Sequence, residues 1–503
     1  MKSVKYLQGK DEKAFFVERV EIYIRLIQCF AEKNHKTIRK ASLSNDITNE
    51  IINIGFISND EEIALLKDVI GAESFSTLVS CVKFYLSNKS EELDAVLVNI
   101  RDVSRKELQK KEKSRKAPTL VDFFCGAGGL SCGFRQAGFK VVLANDIQDV
   151  CCETYRYNHP ELPDNAVIQG DIKSIVNNLK DYIKQPVDVV VGGPPCQGFS
   201  SANQQRIIDD PRNELYKFFV KAVEKICPKL VVMENVRGML PYADQVIEDY
   251  QNIKAKKGGK TYHYLTSYKL LNSENFDVAQ TRVRLIYVAI RNDIAEKFTI
   301  RPSDIYAEIE KSTENNRGFN LSAALEGIKP LESPRVKHLT DIDDEKTGKK
   351  IDINDYKGDE NDYLRLINEN RQIPFVFNHK ARYASPTNYE IFRRLKQGED
   401  GTSESIVGIM PYERRKNIFK DKYYKLIADK PCRTITAHLK MDCLSHIHPT
   451  QVRTITPREA ARVQSFPDDY MFLGAYLKTY MQIGNAVPVL MARQIATILK
   501  RYI

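Results

Sequence analysis

A cysteine on a proline-fixed loop is the residue in this chain most suited to nucleophilic chemistry. Cys196 lies in residues 193–200 (GPPCQGFS), shortly after the apolar run 187–191 (VDVVV). The run predicts a buried strand, and the two prolines cannot continue it because they fix φ and lack a backbone donor. The chain must therefore turn and present Cys196 at the carboxyl end of the strand, where open α/β sheets place their ligands. An inert buried thiol is the alternative.

A glycine-rich turn upstream could bind a nucleotide. Residues 119–124 (TLVDFF) predict a strand, and residues 125–130 (CGAGGL) predict a turn into a helix. Glycines let the backbone approach a ligand closely, and Asp146, after the next apolar run, could hold ribose hydroxyls with its carboxylate. A dinucleotide dehydrogenase shares this outline, but Ser131 stands where the G-x-G-x-x-G fingerprint needs its third glycine. A plain tight turn is a further alternative.

Charged residues beside two other apolar runs could act on a polar substrate. Glu234 follows the apolar residues 230–233, so we expect it at the end of a strand rather than on an open surface. Arg282 and Arg284 alternate just before the apolar run 285–289, which places both on one face of a strand. A solvated edge strand would also explain the two arginines.

The order of these motifs resembles that of the cytosine-C5 DNA methyltransferase family, from about Leu120 to the C-terminus. The resemblance implies an α/β fold with the doubly wound, Rossmann-like sheet of S-adenosylmethionine-dependent methyltransferases. It also implies a smaller target-recognition domain. The matching stretches are the glycine turn, 170–172 (GDI), the Pro-Pro-Cys loop, 233–236 (MENV), 280–284 (QTRVR), 458–467 (REAARVQSFP) and 484–488 (GNAVP).

The resemblance implies a reaction that begins with addition of a thiolate to C6 of cytosine, because C5 alone is too electron-poor to attack a methyl donor. Cys196 would be that thiolate, and its site should favour the anion because a free cysteine has a pKa of roughly 8.5. Glu234 would bind N3 as a hydrogen-bond donor or proton source. Arg284, with Arg282 beside it, would contact O2. Once the methyl group has moved from the donor to C5, a protein base or a water removes the C5 proton so that Cys196 can be eliminated.

The same resemblance implies S-adenosylmethionine as the methyl donor. Asp146 would hold the ribose hydroxyls and Ile147 would pack on the adenine, whose amino edge would meet Asp171 and Ile172. The family often carries glutamate and an aromatic residue at the first two of these positions, so this chain has a shorter carboxylate and an aliphatic contact. The other donor-binding residues implied are Phe124, Gly126, Ala127, Gly128, Gly129, Leu130, Pro194, Asn485 and Val487.

Double-stranded DNA is the implied substrate, and its target base must rotate out of the stack to reach Cys196. The chain has 76 Lys and Arg residues against 66 Asp and Glu residues, a net charge of +10 at pH 7 that suits DNA but also many soluble enzymes. The leading expectation is the modifying half of a bacterial restriction-modification pair, whose endonuclease acts on the same site without a stable complex. An RNA cytosine-C5 methyltransferase and a catalytically idle DNA-binding regulator are the alternatives.

The motifs divide the chain into four segments. Residues 1–117 predict a helical extension with a basic linker, whose role is open, and residues 118–291 the first part of the catalytic domain. Residues 292–452 predict the target-recognition domain because they are polar, charged and rich in loop signals. Within them, residues 412–425 (YERRKNIFKDKYYK) suit either DNA contact or a solvated basic face. Residues 453–503 return to the catalytic domain.

The sequence does not indicate a membrane protein, a secreted protein or a metal-binding protein. The sequence shows no apolar run long enough to cross a membrane and no secretory signal, so we expect a cytoplasmic protein, or a nuclear one if its host has a nucleus. We also expect it to act as a monomer. The ten cysteines include no C-x-x-C pair, and Cys443, His446 and His448 lack the partner pair of a zinc site. We therefore expect reduced thiols and no metal.

Overall fold

Six helices precede the first strand in the computed structural model, which describes residues 2–195, 215–338, 340, 342–354, 361–411 and 422–503. Their apolar residues recur at helical spacing and bury one another in a core that includes Phe16, Tyr23 and Leu78. Phe375 and Phe377 join the same core, so this helical domain packs against the later part of the chain. The helices are α1 (Gly9–Lys33), α2 (Asn45–Ile54), α3 (Ile63–Ile70), α4 (Ala72–Ser87), α5 (Glu91–Leu97) and α6 (Asp102–Ser114).

A seven-stranded sheet forms the centre of the described part of the chain. Its strands are β1 (Thr119–Phe123), β2 (Lys140–Asp146), β3 (Val167–Gln169), β4 (Val189–Gly192), β5 (Leu230–Val236), β8 (Tyr264–Asn272) and β9 (Val283–Arg291), and a separate hairpin pairs β6 (Ala255–Lys257) with β7 (Lys260–Tyr262). The order is β3-β2-β1-β4-β5-β9-β8, in which β1 to β5 are parallel and β9 runs antiparallel to both of its neighbours, β5 and β8. The predicted α/β class with a mostly parallel sheet is confirmed.

Helices cover both faces of this sheet. Leu120 and Val189 point into one core and Val121 and Val190 into the other, which is why the parallel strands read as continuous apolar runs. The doubly wound arrangement therefore follows from burial on both sides. The helices that connect the strands are α7 (Gly129–Gln136), α8 (Asp149–Asn158), α9 (Ile172–Asn177), α10 (Leu179–Tyr182), α11 (Leu215–Ile226) and α12 (Ala243–Gln251).

The predicted recognition region, residues 292–452, contributes to more than one core. Residues from α13 (Asn292–Phe298), α14 (Pro302–Thr313), α15 (Leu321–Leu325) and α16 (Asp362–Ile367) pack into the core of the sheet. β10 (Gly348–Ile353) pairs with β11 (Phe375–Lys380), and both reach the N-terminal core. A small separate core begins at Ala384, includes Ile391 and Phe392 of α17 (Pro386–Arg394) and ends at Ile447. Among the described residues of this region, only this last part buries a core of its own.

The last three helices return to the sheet. They are α18 (Pro457–Val463), α19 (Tyr476–Asn485) and α20 (Val489–Leu499). α20 packs closely on α7, since a Cβ on Gly133 would lie 2.5 Å from the Ala492 Cβ and 2.6 Å from the Val489 carbonyl oxygen. No helix in the described ranges is long and apolar enough to cross a membrane.

Candidate active site

Glu234 and Arg284 form an ion pair near the carboxyl end of β5. Arg284 Nε lies 2.9 Å from Glu234 Oε1, and the two side chains are only 13% and 11% exposed. Arg284 stands opposite Val236 across the β5–β9 pairing, so it is a diagonal neighbour of Glu234 on the same face. The contact is electrostatic rather than an aligned hydrogen bond, because Arg284 Nε has no hydrogen-bond acceptor among the described residues. The pair presents a carboxylate and a guanidinium side by side, an arrangement that can bind a planar polar ring.

The backbone that leads to Cys196 lies against this pair. A Cβ on Gly193 would lie 3.1 Å from Glu234 Oε2, so the glycine lets the chain pass close to the carboxylate. Asn235 Nδ2 donates to the carbonyl of Pro194 at 3.1 Å, which fixes the start of the Pro-Pro-Cys loop. Cys196 itself lies outside the described residues, and its role as nucleophile stays a prediction.

Arg282 does not face the ion pair but is buried under the returning C-terminal segment. Its guanidinium donates to the carbonyls of Ile435 (2.6 Å), Gly484 (3.1 Å) and Ala486 (3.0 Å). Burial and the nearby charge of Arg284 hold the pKa of Arg282 well below its usual value. The side chain thus joins the two predicted motifs at 280–284 and 484–488, and this geometry favours a positioning role over contact with substrate.

Asp146 ends β2 with both carboxylate oxygens held by backbone groups. Gly126 N donates to Oδ2 at 2.9 Å and Gln148 N donates to Oδ1 at 2.8 Å. Burial raises the pKa of the Asp146 carboxyl, and the two backbone donors oppose this shift. Ile147, the next residue, is 63% exposed. An oriented carboxylate beside an uncovered apolar side chain suits a sugar attached to a flat aromatic base.

The glycine turn is shaped by residues from the far end of the chain. A Cβ on Gly129 would lie 2.4 Å from the carbonyl oxygen of Val487, so only glycine permits this approach. Gly128 has a φ of +90°, and its Cβ would lie 2.7 Å from the hydroxyl of Tyr470. That hydroxyl donates to the carbonyl of Ala127. The structure therefore brings the predicted turn and the predicted C-terminal residues together.

The remaining predicted donor-site residues differ in exposure. Asp171 is exposed and caps α9, where its Oδ1 accepts from Lys173 N at 2.9 Å, while Ile172 beside it is buried. Asn485 is exposed at the last residue of α19. Phe124 adopts a φ of 55° as the strand enters the turn. Leu130 is buried in the core of the sheet.

Asn145 is a site-forming residue that the sequence reasoning missed. Its Nδ2 donates to the carbonyls of Ile168 (2.9 Å) and Gly170 (3.0 Å), and Gly170 N donates to the carbonyl of Asp146 at 3.0 Å. These bonds tie the ends of β2 and β3 together, which sets Asp146 and Asp171 at neighbouring strand ends. A buried asparagine at the end of an apolar run was the available signal.

Asp122 is a second residue that the sequence reasoning missed. It lies in β1, fully buried, where the hydroxyl of Ser131 donates to one carboxylate oxygen and the other oxygen has no partner among the described residues. Burial raises the pKa of Asp122 to about 7. The link to Ser131 joins β1 to α7 across the glycine turn, and the signal was a charged residue inside the run TLVDFF.

We expect Asp122→Asn to gain stability relative to the wild type as the pH rises from about 4 to about 7. The folded pKa is raised, so the neutral acid stabilises the fold below its unfolded pKa, and this contribution is lost as the pH rises through the folded value. Asparagine does not titrate. The free energy of unfolding of Asp122→Asn, measured relative to that of the wild type, should rise by about 4 kcal/mol across this pH range.

Urea denaturation of both proteins at several pH values measures this difference, with Asp68→Asn, an exposed aspartate, as the control. A difference that does not vary with pH would show that Asp122 does not titrate in this range.

Comparisons with known proteins identify a set of similar sequences. Residues 118–501 match the family described as C-5 cytosine-specific DNA methylase. The type II methyltransferase M1.HphI of Haemophilus parahaemolyticus is 32% identical over 75% of this chain and 85% of its own length. The type II methyltransferase M.AgeI of Thalassovita gelatinovora is 30% identical over 76% of this chain and 98% of its own length.

A solved structure shares the fold. It is described as a DNA modification methyltransferase encoded within a prophage (E. coli) and has a TM-score of 0.56 and 22% sequence identity. The match covers 76% of this chain and 99% of that chain. The N-terminal helices lie before the range that the family model matches.

Proposed function

The chain belongs to the family of C-5 cytosine-specific DNA methylases, and from this premise we propose that it transfers a methyl group from S-adenosylmethionine to C5 of cytosine within a specific sequence of duplex DNA. The ion pair between Glu234 and Arg284, beside the backbone that leads to Cys196, is the observation that carries the proposal. We further propose that the enzyme acts as a monomer and protects DNA from an endonuclease that cuts the same site.

In the proposed reaction, the target cytosine is flipped out of the duplex and the thiolate of Cys196 adds to C6. This addition makes C5 an enamine-like carbon and builds negative charge at N3 and O2 of the ring. Glu234 must first take up a proton from solvent, and it then gives that proton or a hydrogen bond to N3. Arg284, which the carboxylate orients in the free protein, donates to O2. After C5 has taken up the methyl group, a protein base or a water removes the C5 proton, the electron pair of the C–H bond restores the C5–C6 double bond and Cys196 leaves as the thiolate.

The residues around the glycine turn fit S-adenosylmethionine. When bound, it supplies an electrophilic methyl group. The carboxylate of Asp146 is positioned by two backbone donors to accept from ribose hydroxyls, and the exposed Ile147 can pack on adenine. The exposed carboxylate of Asp171 can accept from the adenine amino group. Gly129 and Val487 close the turn, and we propose that Arg282 holds this C-terminal segment in place.

We expect Asp146→Ala to weaken donor binding by about 1 to 3 kcal/mol, because a hydrogen bond to a charged group is lost. The rate at saturating donor should change less than the affinity does. Isothermal calorimetry with S-adenosylmethionine measures the affinity, and Asp149→Ala, in the first turn of α8, is the matched control. Unchanged affinity in Asp146→Ala would move the ribose contact to another residue.

We propose that the DNA sequence is read by the part of residues 292–452 that has a core of its own, between Ala384 and Ile447. Arginine and tyrosine side chains pair in this part of the chain. The guanidinium of Arg433 lies 4.6 Å from the ring centre of Tyr424, and the guanidinium of Arg335, which precedes this part, lies 3.9 Å from the ring centre of Tyr389. Such pairs combine phosphate attraction with flat surfaces. Residues 412–421 of the predicted basic and aromatic stretch lie outside the described residues.

Base-resolution mapping of cytosine methylation in DNA from cells that express this chain tests the proposal. We expect methylation at C5 in one sequence context and none in cells that carry Cys196→Ala. Methylation of RNA with unmodified DNA would favour an RNA methyltransferase. Absence of methylation in both, with specific DNA binding retained, would favour an idle regulator.

A further inference from the structure

The helix α1 of the N-terminal domain touches two helices, one that follows the proposed donor-site residue Ile147 and one that ends at the proposed donor-site residue Asn485. Phe15 of α1 packs into a small apolar cluster with Val150 and Met481. Val150 lies in α8, which begins just after Ile147, and Met481 lies in α19, which ends at Asn485. The two elements come from opposite ends of the family-matched region, and Phe15 lies between them.

Glu18, one turn along α1, binds the segment that enters α19. Its two carboxylate oxygens accept from Gly474 N at 3.0 and 3.1 Å, and it forms an ion pair with Lys350. Gly474 has a φ of +87°, and a Cβ there would lie 2.5 Å from Val150 Cγ2. The segment is therefore confined between α1 and α8, with no room for a side chain.

A third contact connects α1, through α8, to the start of β3, the strand that precedes Asp171. Arg19 forms an ion pair with Glu153 of α8, and these side chains are only 13% and 19% exposed. Glu153 also pairs with Arg156 at 2.7 Å, and Arg156 donates to the carbonyl of Val167 in β3 at 2.6 Å. Because this network is largely shielded from water, it fixes α8 more firmly than a surface ion pair would.

We propose that α1 is a positioning element for the methyl-donor site, acting through Phe15 and Glu18. The inference rests on the proposed donor site. Binding sites need side chains held in place by surrounding contacts, and here the relative position of α8 and α19 sets the distance between Ile147 and Asn485. Loss of the α1 contacts lets these elements shift, which weakens donor binding and leaves the chemistry at saturating donor intact.

The test uses the full chain with Phe15→Ala and Glu18→Ala as separate variants. Arg25→Gln is the matched control, because Arg25 lies on the same helix but contacts Glu32 and the carbonyl of Ile351 rather than α8 or α19. We expect the Kd for S-adenosylmethionine to rise about 5- to 50-fold in the first two variants, within the usual range of coupling between sites. Their kcat at saturating donor should stay within about twofold of the wild type.

Thermal unfolding of all three variants separates positioning from general stability. The inference holds if the Kd rises in Phe15→Ala and Glu18→Ala without following the loss in unfolding midpoint, while Arg25→Gln keeps the wild-type Kd. It is overturned if the Kd of all three proteins follows their stability, or if neither Phe15→Ala nor Glu18→Ala changes the Kd. A wild-type protein that methylates DNA but binds no S-adenosylmethionine would instead contradict the proposed donor.

Discussion

Cys196→Ala is expected to lower the rate of methyl transfer by at least about 10⁴-fold, because no other group then adds to C6 of the cytosine. Binding of S-adenosylmethionine and of DNA should be largely intact, since neither requires the thiolate. Single-turnover methylation of a duplex with the target sequence measures the rate. Cys81→Ala, which removes a buried cysteine in the N-terminal core, is the control and should methylate at the wild-type rate.

A duplex that carries 5-fluorocytosine at the target position gives an independent measurement. The wild-type enzyme should form a covalent complex with it, because fluorine cannot leave C5 as a proton does, and Cys196→Ala should form none. Methylation by the alanine variant, or a covalent complex with it, would show that another residue is the nucleophile.

Glu234→Gln is expected to slow methyl transfer by about 10²- to 10⁴-fold, the usual contribution of a positioned general acid. Glutamine keeps the shape of the side chain and a hydrogen-bond donor but cannot transfer a proton to N3. It also removes the charge that faces Arg284 at 2.9 Å, so the guanidinium loses its ion pair. Single-turnover rates measure the effect, with Glu248→Gln on the exposed side of α12 as the control.

The double variant Glu234→Gln/Arg284→Gln tests whether the two residues act together. If they do, the double variant should be little slower than the slower of the single variants, because each substitution already disables the pair. A rate near that of the wild type for Glu234→Gln would show that a hydrogen bond to N3 suffices without proton transfer.

The strands and the glycine turn could be predicted from sequence because their signals are local. The apolar run before Glu234 and the TLVDFF run of β1 both form strands, as the sequence predicted, whereas the doubly wound sheet was implied by the family resemblance. The role of Asp122 could not be predicted, since its raised pKa depends on a core assembled from distant residues.

Arg282 shows where local patterns stop being informative. Its spacing from Arg284 predicted one shared face, but its acceptors are carbonyls at Ile435, Gly484 and Ala486, far along the chain. The periodicity of a strand cannot encode which distant segment covers it. The helix that carries Phe15 was predicted, but its contact with Val150 could not be, because local periodicity does not identify a distant partner.

The approach of Gly129 to Val487 has a consequence for how the enzyme is made. The turn emerges from the ribosome long before the segment that closes it, because most of the family-matched region separates Gly129 from Val487. Domains fold during synthesis as their parts become available, so the sheet can begin to assemble while the proposed donor pocket still lacks one wall. A nascent chain at this stage would be unable to retain S-adenosylmethionine. A product truncated by a nonsense codon before Gly484 would contain Cys196 but could not transfer a methyl group.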